Sequence, residues 1–180
     1  MSLAVSLCAD DLTAVADFLL GPSTRPPLSV DVLVSALAQE GARRGIRDLR
    51  VATAAARTGV RSRPESHLRL LLASVGPREP DVAAPVPLSG GKFVHPDLSW
   101  EEFRVAVEYD GAGHRDADQH AIDVARHEEL VDDGWSVLHV VARDLYSRPS
   151  LVVSRALTRL RVAGWHDPRA ELTRFGHFAP

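Results

Sequence analysis

The feature that most limits how this chain can fold is an alternation running through residues 93–110. Side chains on a strand point to opposite faces in turn, so parity sorts the stretch into two sets. Val94, Pro96, Leu98, Trp100, Phe103, Val105, Val107 and Tyr109 make one continuous apolar face, and His95, Asp97, Glu108 and Asp110 make the other. Two strands, 93–100 and 103–109, joined through Glu101-Glu102, put Trp100 opposite Phe103, Asp97 opposite Ala106 and His95 opposite Glu108. The pattern predicts a hairpin with one face in a core and the other gathering carboxylates. Like charges facing each other across a strand pair cost stability unless something offsets them. A hard divalent cation such as Mg²⁺ does so, taking one or two carboxylates and keeping water ligands. An acidic, solvated sheet face without a ligand is the alternative.

Around the hairpin the periodicity changes. Helical spacing predicts a first helix over residues 9–20, stopped by Gly21-Pro22, and a second from Ser29 to near Gly41 with Val32, Leu33, Ala36 and Leu37 as its stripe. A third covers 45–56. A fourth opens at Arg63-Pro64-Glu65-Ser66, with Pro64 in its first turn and Leu68, Leu71, Leu72 and Val75 as its buried stripe. A strand-like piece, 82–88, precedes the turn at Gly90-Gly91; a polar helix over 117–133, a strand over 135–141 and a helix over 149–162 follow. The order αβββαβα emerges for residues 64–162, an α/β fold after a short all-helical segment. The division expected is therefore a helical N-terminal segment (1–60) that reads as the end of a longer protein, an α/β domain (61–163) and a tail (164–180).

A chain of 180 residues, 45% hydrophobic, buries a sufficient core without staples. Its single cysteine, Cys8, rules out an intrachain disulfide and reads as a buried thiol of a reducing compartment. No apolar run approaches membrane-spanning length, and Asp10, Asp11 and Asp17 interrupt any signal-like start, so a cytoplasmic location and no membrane partner are expected. The net charge of −3 argues against a general nucleic-acid coat protein, but its distribution does not. Residues 41–69 hold eight arginines against two acids, residues 79–133 fourteen acids against four bases, and residues 143–174 seven arginines against three acids. Arg43, Arg44, Arg47 and Arg50 fall on adjacent turns of one helix, where they suit phosphate contacts, a solvated helix face or pairing with the acidic middle.

Residues 62–65, the run His95-Pro96-Asp97, residues 105–111 with His114, and Gly134-Trp135-Ser136-Val137 together resemble the restriction-endonuclease-like domain of unknown function found in many bacterial proteins. That domain is related to very-short-patch-repair endonucleases within the PD-(D/E)XK nuclease superfamily. The resemblance covers about residues 62–162 and implies a restriction-endonuclease-like αβββαβα core with a mixed sheet. It implies that Asp97 is the metal-binding aspartate, that Glu108 takes the acidic place of the (D/E)XK motif, that Glu65 is the first-helix glutamate, and that His114 is the catalytic histidine after the third strand. The lysine place is taken by Asp110, a departure that leaves the general base open, and His139 stands on the fourth strand where an arginine is expected. The implied reaction is hydrolysis of DNA phosphodiesters with Mg²⁺ or Mn²⁺ held by Asp97 and Glu108, a proton relayed by His114, and Arg115 or Arg126 on the phosphate. The implied partner is DNA, through backbone contacts; a second copy of the chain and an additional N-terminal domain are further partners left open.

Two other readings accompany this one. His120, Asp123 and His127 share a helix face at i, i+3 and i+7, a spacing open to a transition metal and also to solvated or capping roles. Trp100 and Trp135 read as sheet-packing residues, and Trp165 falls in the unassigned tail. The alternative function is a catalytically inactive nuclease-fold module that binds DNA or a protein in a regulator or a toxin–antitoxin-type protein.

Overall fold

Residues 105–110 organise the molecule. The computed structural model describes residues 3–41, 44–111 and 117–166. Strand β1 (Asp81–Val82) pairs antiparallel with β4 (Leu98–Trp100), β4 pairs antiparallel with β5 (Val105–Asp110), and β5 pairs in parallel with β6 (Ser136–Val141). The resulting mixed sheet has the order β1-β4-β5-β6, and helix α5 (Ala117–Asp132) makes the crossover that a parallel pair requires. Gly134, with φ of +83°, ends that crossover in a conformation open to glycine at little cost. A separate ribbon joins β2 (Val86–Pro87) to β3 (Phe93–Val94).

Helices cover both faces of the sheet. On one side Leu98, Trp100, Val105, Val107, Leu138 and Val140 pack against Leu68 and Leu72 of α4 (Arg63–Ala73) and against Val152, Ala156 and Leu160 of α7 (Pro149–Val162). Leu145 of the short α6 (Ala142–Ser147), a helix the periodicity does not mark, joins them. Trp165 folds back onto this core, so the expected tail begins inside it. On the other side Ala106 packs with Leu130 of α5, Trp135, Val86 and Val94. Both central tryptophans are core residues; the Trp100 indole N–H donates to the Arg78 carbonyl at 3.0 Å.

The predicted hairpin is corrected in two respects. Pro96 has no N–H to give a ladder and constrains the residue before it. The strand expected over 93–100 accordingly breaks at His95-Pro96-Asp97, and Val94 enters the second core instead of the face of Leu98 and Trp100. The connection is a 3-10 turn, Glu101–Phe103, followed by Arg104 with φ of +49°. It shifts the pairing by two, to Trp100 opposite Val105 and Leu98 opposite Val107. An even shift preserves parity. One further step along this register sets Asp97 opposite Glu108, not Ala106.

The N-terminal helices α1 (Ala9–Leu20), α2 (Val30–Gln39) and α3 (Ile46–Ala55) lie close to their expected bounds. Helix α1 packs on α3 and α4. Asp17 of α1, fully buried, accepts the Arg57 backbone N–H at 2.7 Å and the Arg69 guanidinium of α4 at 3.1 and 3.3 Å; Arg69 also pairs with Glu79. The helical segment is thereby joined to the α/β domain. Two expectations fail here. Helix α2 has no buried residue, and Val30, Val32 and Val34 are exposed, because only Leu33 and Leu28 reach the α1–α3 contact. Cys8 is exposed, because it is the N-cap of α1 rather than part of its inner face.

Candidate functional site

At one end of the sheet the sequence forces carboxylates together. Ser62 caps α4, its hydroxyl accepting the Glu65 N–H at 3.4 Å, while Glu65 accepts the Ser62 hydroxyl and the Arg61 N–H, each at 2.8 Å. This reciprocal S-x-x-E arrangement satisfies helix-terminal donors. It gives Glu65 a capping role in addition to the one the resemblance implies.

Asp97 follows the Pro96 break and accepts the Tyr109 N–H at 2.8 Å through Oδ2, while its carbonyl accepts the Ala83 N–H at 3.0 Å. Glu108, 5% exposed on β5, meets Arg126 of α5 at 3.0 Å. Burial pushes the Glu108 carboxyl up to about 7, and the neighbouring Asp97 pushes the same way against Arg126. Burial also raises Asp97, opposed by the Tyr109 N–H, Arg126 and Arg61. Glu65 is raised by burial and by Asp97, against the hydrogen bonds from Arg61 and Ser62. Burial is thus the first cause of the rise at all three carboxyls, and Asp97 adds to it at both Glu65 and Glu108.

The cationic side of the site is a cleft of about 500 Å³ whose lining includes Arg61, Lys92, Phe93, His95 and Arg126. Lys92 is held by both oxygens of Glu129 at 2.6 Å, and His95 contacts the Ala83 carbonyl at 3.1 Å through Nδ1. The strand break turns His95 outward, away from its expected position opposite Glu108. Arg61 and Lys92 are members of the site that motif reasoning missed. Arg61 carried a signal, one residue before the Ser62 cap.

The remaining sequence-derived candidates separate into groups. Asp110 is on the Glu108 face of β5 and pairs with His139 Nδ1 at 3.0 Å. Arg44 and Arg47 belong to the α3 region, which packs mainly on α1 and α2 and not on the sheet. Arg50 donates to the Leu37 and Glu40 carbonyls, and Arg57, Arg63 and Arg69 are in ion pairs, so much of the basic flank is neutralised internally. Arg43, His114 and Arg115 lie outside the described residues, as do the side chains of His120 and Asp123.

Among the described residues no group of three or more His, Cys, Asp or Glu is placed to hold a metal ion. The donor chemistry at Asp97 and Glu108 nevertheless suits a hard divalent cation. Two carboxylates whose charge Arg126 offsets only in part are oxygen donors of the kind Mg²⁺ accepts when water fills its other positions. Among the described residues no helix is long and apolar enough to cross a membrane.

No family model matches the chain, and no solved structure matches it. Among curated proteins, the chain is 29% identical over 134 residues to an uncharacterized protein of Mycobacterium tuberculosis, the match covering 72% of this chain and 49% of that protein. It is also 29% identical over 119 residues to an alpha-glycerophosphate oxidase of Streptococcus pyogenes serotype M1, over 66% of this chain and 19% of that protein. The chain thus spans about half the length of the mycobacterial relative and a fifth of the oxidase.

Proposed function

We propose that this protein is a Mg²⁺- or Mn²⁺-dependent endonuclease that hydrolyses DNA phosphodiester bonds, with a restriction-endonuclease-like core. The observation that carries this reading is half-buried Asp97 beside buried Glu108, both carboxyls raised by burial, with Asp97 adding to the rise at Glu108. The element order supports it: setting aside the β2–β3 ribbon and the short α6, the chain runs α4, β1, β4, β5, α5, β6, α7, with the acidic pair where the start of β4 faces the end of β5.

In this reading Asp97 and Glu108 hold the ion. When bound, the ion supplies Lewis acidity to the scissile phosphate and to the attacking water. The Tyr109 N–H fixes the orientation of Asp97, and Arg126 does the same for Glu108. Arg61 lines the approach and suits a phosphate contact without base reading, and Lys92 and Arg126 beside it would exchange Glu129 and Glu108 for phosphate oxygens. Purified protein is expected to nick plasmid DNA in Mg²⁺ or Mn²⁺, and Asp97→Ala protein is expected not to. Equal cleavage by the two overturns the assignment.

A second reading, the inactive DNA- or protein-binding module, draws on a different observation. Asp110 stands where the resemblance implies lysine, and Arg126 already offsets part of the Glu108 charge. Such a module binds DNA equally well with and without chelator, whereas the nuclease gains affinity from the ion.

A further inference from the structure

Beside the carboxylate site, α5 and β6 bring together two histidines that sequence spacing does not connect. His139 Nε2 stands 3.0 Å from His127 Nδ1, with ring centroids 4.8 Å apart, and the opposite nitrogen of His139, Nδ1, stands 3.0 Å from Asp110 Oδ2. The helical grouping of His127 with His120 and Asp123 gives no hint of this, because His139 arrives from the next strand. We propose that His127 and His139 form a binding site for a borderline transition-metal ion of the Zn²⁺ class, with Asp110 as the orienting carboxylate.

The arrangement has three properties that such an ion uses. Asp110 is a carboxylate and so accepts from His139 Nδ1–H, which leaves Nε2 a lone pair that His127 Nδ1–H donates to in the metal-free protein; the ion takes the place of that proton, His127 then carrying its N–H on Nε2. Carboxylate–histidine–metal triads fix tautomer and ring orientation in this way. A tetrahedral ion about 2.0–2.1 Å from each of two imidazole nitrogens holds them about 3.4 Å apart, so the nitrogens, 3.0 Å apart in the hydrogen bond, part by a few tenths of an ångström while the rings turn to aim both lone pairs at the ion. Both rings are partly exposed, His139 at 42%, which leaves the other coordination positions to water. The chemistry differs from that at Asp97 and Glu108, where oxygen donors suit Mg²⁺. The proposal therefore stands whether or not the protein cleaves DNA.

The test is a titration of the metal-free protein with Zn²⁺ against a chromophoric chelator, with circular dichroism to confirm folding. Wild-type protein is expected to take up one Zn²⁺ equivalent that His127→Ala and His139→Ala each remove. Asp110→Asn is expected to weaken that equivalent about 10- to 100-fold, the usual effect of losing an outer-sphere carboxylate. Glu108→Gln is expected to retain it. Should an alanine variant fold poorly, His127→Gln and His139→Gln, which keep polar side chains of similar reach, replace it with the same expected loss. Zn²⁺ binding unchanged in both histidine variants overturns the site, as does the absence of saturable binding by wild type. Loss confined to Glu108→Gln also overturns it, because the ion would then sit on the carboxylates.

Discussion

Asp17 and Glu108 are both buried carboxylates, 0% and 5% exposed, yet the charge around them differs in kind. Asp17 faces the equally buried Arg69 and a backbone N–H, and Arg69 passes on to Glu79, which Arg57 also holds. Glu108 has Arg126 on one side and Asp97 on the other. The first cluster alternates in sign and joins two parts of the fold. The second puts like charges together, an arrangement that stability alone does not favour. Residues retained against stability are where function is best sought.

The largest effect tests the matched cluster. Arg69→Ala leaves Asp17 buried and without its guanidinium, and cutting one partner from a buried pair costs about 3–5 kcal/mol. Urea unfolding of the variant is expected to show a loss of that size. A loss under about 1 kcal/mol would mean that the helical segment is held by its apolar contacts alone.

The mismatched cluster is expected to respond in the opposite direction. Glu108→Gln removes one of two opposed charges, so the metal-free protein gains stability at pH 7.5 by about 1–2 kcal/mol, while metal-dependent cleavage is lost. A destabilised variant would show that the Arg126 pair outweighs the repulsion.

The same mismatch has a pH signature. With its folded value raised from 4.5 to about 7, Glu108 holds a proton in the folded state that the unfolded chain has released between those values. Stability from this group is therefore fully present below about pH 4.5 and is lost as pH rises through about 7, by about 2–3 kcal/mol across that window. Melting temperatures of metal-free protein across pH 5–7.5 are expected to follow that decline, and Mg²⁺ is expected to flatten it at the upper end. A flat metal-free profile would remove the charge excess from the argument.

Much of this contrast was legible in the residues, and the remainder has identifiable causes. Strand parity alone puts Asp97, Glu108 and Asp110 on one face, and an even register shift does not disturb that. Ser62, Pro64 and Glu65 announced the start of α4 through local capping chemistry. Three outcomes were not local. The register depended on Arg104 adopting a left-handed conformation that a non-glycine side chain does not advertise. The Asp17–Arg69 pair joins residues 52 positions apart, and the His127–His139 contact depends on how α5 lies against β6. Trp165 reads as tail because its neighbours lack periodicity, although a single large apolar side chain is enough to anchor it.

The smallest effect marks the edge of the comparison. Val32 and Val34 of α2 are about half exposed and lie in none of the four buried clusters. A hydrophobic position that buries little on folding contributes little to it, since the stabilisation scales with area removed from water. Val32→Ser and Val34→Ser are therefore each expected to change unfolding free energy by less than about 0.5 kcal/mol, the range of ordinary surface substitutions. Urea unfolding of both, set beside Arg69→Ala, measures how the N-terminal helices are held. If either valine costs as much as 2 kcal/mol, apolar burial on α2 holds the segment, and Asp17–Arg69 loses its place as the principal joint.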